Sequence, residues 1–119
     1  MTDINTVVIE GRLTKNAEFR QIGGTTNAKF TIATNRSRKV NDQWEDETSF
    51  IDAQAWGRLA ENMSGRLSKG TSVTISGYLR QERWESNGEK KSRHVVVADQ
   101  ITVHTAAKQK EQDNGNENW

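Results

Sequence analysis

Apolar residues recur at every second position in five separate runs, and no other feature restricts this chain so tightly. Val7, Ile9, Gly11 and Leu13 alternate with Val8, Glu10 and Arg12. Ala28, Phe30 and Ile32 alternate with Lys29, Thr31 and Ala33. A third run covers Thr48 to Trp56 and a fourth Thr71 to Trp84. A fifth covers Arg93 to His104, with Val95, Val97, Ile101 and Val103 on one parity. A period of two is that of a strand with one face buried. Gly23-Gly24 marks a turn, and Asn87-Gly88 suits a hairpin. The polar stretch from Lys39 to Glu47 reads as a loop. One segment breaks the period. Leu59, Met63 and Leu67 stand at i, i+4 and i+8, which predicts a helix over 58–67, with Lys69-Gly70 as its stop. Five strands with one short helix between the third and fourth predict an all-β chain, a five-stranded OB-fold barrel. A two-layer α+β sheet would also satisfy that order.

At 119 residues the chain has room for one domain and a short tail. The barrel is expected over residues 1–104. From Thr105 to Trp119 the only apolar residues besides the terminal Trp are two alanines, so 105–119 reads as a disordered polar tail. Lys108 and Lys110 against Glu111, Asp113 and Glu117 leave that tail slightly acidic. Overall, 17 basic residues face 16 acidic ones, so any nucleic-acid affinity must come from local placement rather than bulk charge. The chain has no cysteine, which removes disulfides, zinc-thiolate sites and thiol catalysis. Apolar runs fall short of a membrane span, and the first residues lack the pattern of a signal peptide. A cytoplasmic, nucleoid-associated protein is the expectation.

The third run holds the first functional hint. Ser49, Ile51, Ala53 and Ala55 are small or apolar and suit a barrel interior. The opposite parity carries Thr48, Phe50, Asp52, Gln54 and Trp56, which places two aromatics on a wet face. The fourth run repeats the arrangement, with Tyr78 and Trp84 beside Arg80 and Glu82. Cations flank both runs: Arg36, Arg38 and Lys39, then Lys90, Lys91 and Arg93. Exposed aromatics interleaved with cations suit single-stranded nucleic acid, whose bases stack on rings while phosphates meet Lys and Arg. The alternative is that these rings pack in a subunit interface or under a loop. Enzymatic chemistry finds little support. Asp42, Glu45, Asp46 and Glu47 form a charge run without a flanking histidine, so no metal site is expected. Neither a phosphate-binding glycine motif nor a nucleophile elbow occurs, and no cofactor is expected.

Several stretches together resemble the bacterial-type single-stranded DNA-binding protein family over about residues 4 to 104. They are Asn5-Thr6-Val7-Val8-Ile9-Glu10-Gly11-Arg12-Leu13 and Phe30-Thr31-Ile32-Ala33-Thr34-Asn35. Then come Trp56-Gly57-Arg58-Leu59-Ala60-Glu61, Leu67-Ser68-Lys69-Gly70 and Gly77-Tyr78-Leu79-Arg80. The resemblance implies an OB-fold homotetramer that wraps single-stranded DNA without sequence preference in replication, recombination and repair. It implies base stacking at Phe50, Trp56 and Trp84, with Arg38 where the family has a fourth aromatic. The related readings are an OB module for replication restart or RNA binding, and a protein-interaction domain. Two departures stand out. Asn16-Ala17-Glu18-Phe19-Arg20 lacks the usual proline, which leaves that turn less pre-set. The tail lacks the long linker and the Ile-Pro-Phe tip, which puts docking of partner enzymes in doubt, although Trp119 offers a terminal aromatic. Removing 108–119 is therefore expected to leave the oligomer intact and oligo(dT) affinity nearly unchanged; sedimentation and titration of the shortened chain check this.

Overall fold

The computed structural model describes residues 1–104, so the expectations for the tail and Trp119 lie outside the described residues. Six strands and one helix follow in the order β1 (Val7–Leu13), β2 (Glu18–Ile22), β3 (Thr25–Val40), β4 (Gln43–Trp56), α1 (Arg58–Asn62), β5 (Ser72–Ser86) and β6 (Glu89–Val103). They form one sheet in the order β1-β5-β6-β4-β3-β2. Strand β1 closes it into a barrel. It pairs with β5 over Val7 to Arg12, then crosses to β3 at Arg12 and Leu13. The barrel therefore has the five expected strands, with the helix between its third and fourth, and β2 is an added strand beside β3. This is the OB-fold expected from the alternation.

The interior follows the parities. Leu13, Ala28, Phe30, Ile32, Ala53, Ala55, Val73 and Ile75 are all buried. Of these, each Leu, Ile, Val or Phe side chain contributes about 1.5–3 kcal/mol on burial. The fifth run is different. Opposite Ser76 and Gly77 the ladder jumps from Gln100 to Ala98, a bulge that reverses the parity of β6. The core face of β6 is therefore Val96, Ala98, Ile101 and Val103, while Val95 and Val97 are buried outside that cluster. Gly77 stands at this bulge with no room for a side chain, because a Cβ there would strike the Val97 carbonyl oxygen.

Two expected boundaries move. The helix stops at Asn62 rather than Leu67, because Gly65 adopts φ +81° and ends the local turns well before Gly70. Met63 and Leu67 nevertheless reach the core with Ala60, so the stripe closes the barrel bottom from a helix and the turns after it. The stretch read as a loop from Lys39 to Glu47 is instead the end of a long hairpin. Strands β3 and β4 pair without interruption from Asn27↔Trp56 to Val40↔Gln43. Asn41 and Asp42 both take positive φ, as does the Asn87-Gly88 pair that joins β5 to β6. Such two-residue turns match the strand twist and fix the register. Strand β2 had no signal, since only Phe19 in it is even partly buried. The proline-free stretch before it is tied down nonetheless: Asn16 Oδ1 accepts from the Lys69 N–H at 2.8 Å, and the Ala17 N–H donates to Leu67 O at 2.9 Å.

Gly77→Ala is expected to destabilise the barrel by about 1–3 kcal/mol, since backbone must shift to admit the methyl. Thermal melting beside the parent measures it, and a melting temperature equal to the parent's would contradict the close approach.

Candidate nucleic-acid interface

Strands β4 and β6 run parallel and meet in only two pairs, Ala53↔Val96 and Gln54↔Val97. From this seam the N-terminal part of each strand leads to the tip of a hairpin, 41–42 for one and 87–88 for the other. Because the two strands are parallel, both arms leave the seam on the same side. Side chains alternate along each arm, so the register assigns every candidate residue to a face.

On the β3–β4 arm the outer face carries Phe50 and Trp56, with Lys39, Lys29 and Thr31 among their cross-strand company. On the β5–β6 arm it carries Tyr78, Arg80, Glu82 and Trp84, with Lys91, Arg93, Val95 and Val97 opposite them. The reverse faces carry Arg36 and Arg38 on one arm and Lys90 on the other. Arg38 is paired there with Glu47 at 3.9 Å. The register thus places Phe50, Trp56, Tyr78, Trp84, Lys39, Arg80, Lys91 and Arg93 on the outer faces of the two arms, and Arg36, Arg38 and Lys90 on their backs.

Exposure sorts the rings. Phe50 is 66% exposed, Trp84 45% and Tyr78 41%. Trp56 is only partly buried rather than open, opposite the fully buried Asn27. Gln54, expected on a wet face, is buried. Sequence reasoning passed over two residues on this outer face. Lys29 lines an open groove with Arg80, Glu82, Trp84 and Arg93. Trp44 stands on the same parity as Phe50 and Trp56. The parity could have found both, but Trp44 lay in a stretch read as loop.

A polar chain crosses the seam on the same face as these rings. Glu82 accepts from Arg93 Nε at 3.0 Å, from Arg80 at 3.1 Å and from Gln54 Nε2 at 3.0 Å. A carboxylate only accepts, so it fixes the Gln54 amide with Oε1 turned inward, where Asn27 Nδ2 donates to it at 3.2 Å. Arg93 also lies 3.6 Å from Asp52, whose other oxygen accepts from Thr31 at 2.9 Å. Its guanidinium stands 6.0 Å from the centre of the Trp84 ring. Arg93 is therefore held between two carboxylates and stands beside a ring.

Burial pushes the Glu82 pKa up. The hydrogen bonds from Arg93 and Gln54, the Arg93 charge and the Arg80 hydrogen bond together outweigh it and hold the group below the ordinary glutamate value of 4.5. A carboxyl held low in the folded state adds stability that is present above its unfolded pKa and lost as pH falls through the folded value. Glu82→Gln is accordingly expected to lower the melting temperature at pH 7, with the gap to the parent closing as pH drops below 4.5 and under the depressed value. Melting curves across that range check it.

Comparison with known proteins bears on the family and the fold. The Single-strand binding protein family model matches residues 4–104. The Single-stranded DNA-binding protein of Treponema pallidum is 41% identical over 104 residues, covering 87% of this chain. The chain spans 59% of that relative's length. A deletion variant of the single-stranded DNA binding protein from Thermus aquaticus superposes with a TM-score of 0.77 at 27% identity, over 85% of this chain and 50% of that one. A Plasmodium falciparum protein, solved in complex with single-stranded DNA, has a TM-score of 0.80 over 87% of this chain and 97% of its own, and at 18% identity it attests the fold alone. With the family match running from β1 to the end of β6, the chain belongs to the single-strand binding protein family.

Proposed function

We propose that this chain binds and coats single-stranded DNA without sequence preference, as a non-enzymatic component of replication, recombination and repair in the cytoplasm. The observation that carries the reading is the gathering of Phe50, Trp56, Tyr78 and Trp84 on one outer face, around a seam rimmed by cations. Bases stack on those rings. Lys39, Lys91, Arg80 and Arg93 take phosphates, joined by Lys29. Arg36, Arg38 and Lys90 act from the backs of the arms through the longer-range field. The domain doing this is residues 1–104, with 105–119 as a polar extension.

We also propose a homotetramer. Val8 is 65% exposed on the outward face of β1. Among the described residues, β1 pairs along Val7 to Gly11 with β5 alone, which leaves a strand edge for a second copy to cover.

Stacking is worth about 1–3 kcal/mol per base, so Trp84→Ala is expected to weaken oligo(dT) binding about 5- to 150-fold. Phe50→Ala should weaken it less, because its ring is smaller. Trp56→Ala should lower affinity and also the melting temperature, since that ring is partly buried. If a subunit neutralises about four phosphates, log K should fall against log salt with a slope near −3. Fluorescence titration with oligo(dT) at several salt concentrations measures all of these. An unbound parent, or rings whose loss lowers the sedimentation mass while folded protein binds normally, would overturn the reading in favour of a protein-interaction domain.

A further inference from the structure

Trp44 is a tryptophan 71% exposed near the tip of a hairpin arm that has no core of its own. Its register is set by the ladder, in which β3 and β4 pair rung by rung from Asn27↔Trp56 to Val40↔Gln43 with no bulge. Trp44, Phe50 and Trp56 therefore share one face of one strand at equal spacings of six residues, about 20 Å per interval. Two rungs of that face between Trp44 and Phe50 carry short, mutually bonded side chains. Ser37 donates to Asp46 at 3.1 Å, and Thr48 donates to Asn35 at 2.6 Å. Above these low rungs both rings stand clear. Directly across from Trp44 is Lys39, a cation beside the ring. Arg36 and Arg38 lie on the other face, so the arm has one aromatic side and one ion-paired side.

We infer that Trp44 is a further base-stacking platform, which carries a single strand of DNA beyond Phe50 along the β3–β4 arm, with Lys39 meeting the adjoining phosphate. The inference rests on the proposed DNA-binding function and extends its path. It gives the arm a ring on the outer face at a different position from Arg38. Asp46 repels phosphate at the rung between, so the strand crosses that rung with its bases rather than its backbone against the arm. Longer strands then gain a contact that shorter ones, held at Phe50, Trp56 and Trp84, reach less often.

The test isolates the ring. In a chain carrying Trp56→Phe, Trp84→Phe and Trp119→Phe, Trp44 is the sole tryptophan. Oligo(dT) of increasing length, from about 4 to about 16 nucleotides per subunit, is added while the anisotropy of labelled oligo(dT) reports binding separately. Quenching of Trp44 emission that grows with length is expected. In the otherwise unaltered chain, Trp44→Ala is expected to weaken binding of the longest oligo(dT) about 5- to 150-fold and of the shortest by less, with the salt slope preserved, and Trp44→Phe to restore most of the loss. Unchanged Trp44 emission on saturated protein overturns the inference and leaves the DNA-binding reading standing. So does an equal loss at every length, or a lower sedimentation mass for Trp44→Ala, which would make the ring an interface contact. A parent chain that fails to bind oligo(dT) overturns both.

Discussion

The parallel seam between β4 and β6 is the constraint on which the outer face depends. Two backbone pairs are a weak join for a barrel of long strands. What supplements them lies on the outside, in the side chains of Gln54, Glu82, Arg93 and Asp52, which link β4, β5 and β6 and reach Asn27 and Thr31 on β3. Because Glu82 can only accept, one carboxylate fixes the orientation of each group around it. The seam also sets the direction of the two arms. Their parallel departure places Phe50 and Trp84 on the same side of it, with Trp56 on the other side. Rings that are far apart in sequence become stations along one surface for that reason.

The alternation made the barrel legible wherever one face was buried. Phe30 and Ile32, or Val73 and Ile75, could be assigned to the interior because their neighbours were polar. Beyond Ala33 and before Ser49 the arm is solvent-exposed on both faces and Trp44 is its only aromatic, so the same signal vanished while the hydrogen-bonded ladder continued. A strand with solvent on both sides carries no period to read. The Asn41-Asp42 turn that holds the first arm is a weaker written signal than Asn87-Gly88, although both take positive φ. Strand β2 was invisible on similar grounds. The β6 bulge is a backbone event, so Val95 and Val97 were given the wrong face by an alternation that the chain breaks at Ala98 to Gln100.

Within the site, the rings were legible and the ion pairs were not. Phe50, Trp56, Tyr78 and Trp84 stood out because an aromatic on a polar parity demands a reason. That Arg93 sits between Glu82 and Asp52 depends on how β4, β5 and β6 meet at the seam, and no spacing along the chain encodes it. The cations also divide between the two faces of each arm. Arg38 is one residue from Lys39, yet it points to the opposite face and pairs with Glu47. A cluster along the sequence is therefore not a patch in space when it lies on a strand.

The balance of forces at this face follows from that division. Arg80 and Arg93 already have carboxylate partners, so a phosphate must compete with Glu82 and Asp52 for them, and the electrostatic gain is smaller than a count of cations implies. Stacking has no such competitor, since Phe50 and Trp84 meet only water on their open sides. A surface of this kind gains more from each ring than from each charge. Stacking of that kind would tolerate any sequence, because every base presents a π-face. The same ion pairs hold the guanidinium of Arg93 6.0 Å from the centre of the Trp84 ring. On the proposed reading, the acids that weaken phosphate attraction restrain a cation beside a stacking ring, and a group ordered before its ligand arrives loses less entropy on binding.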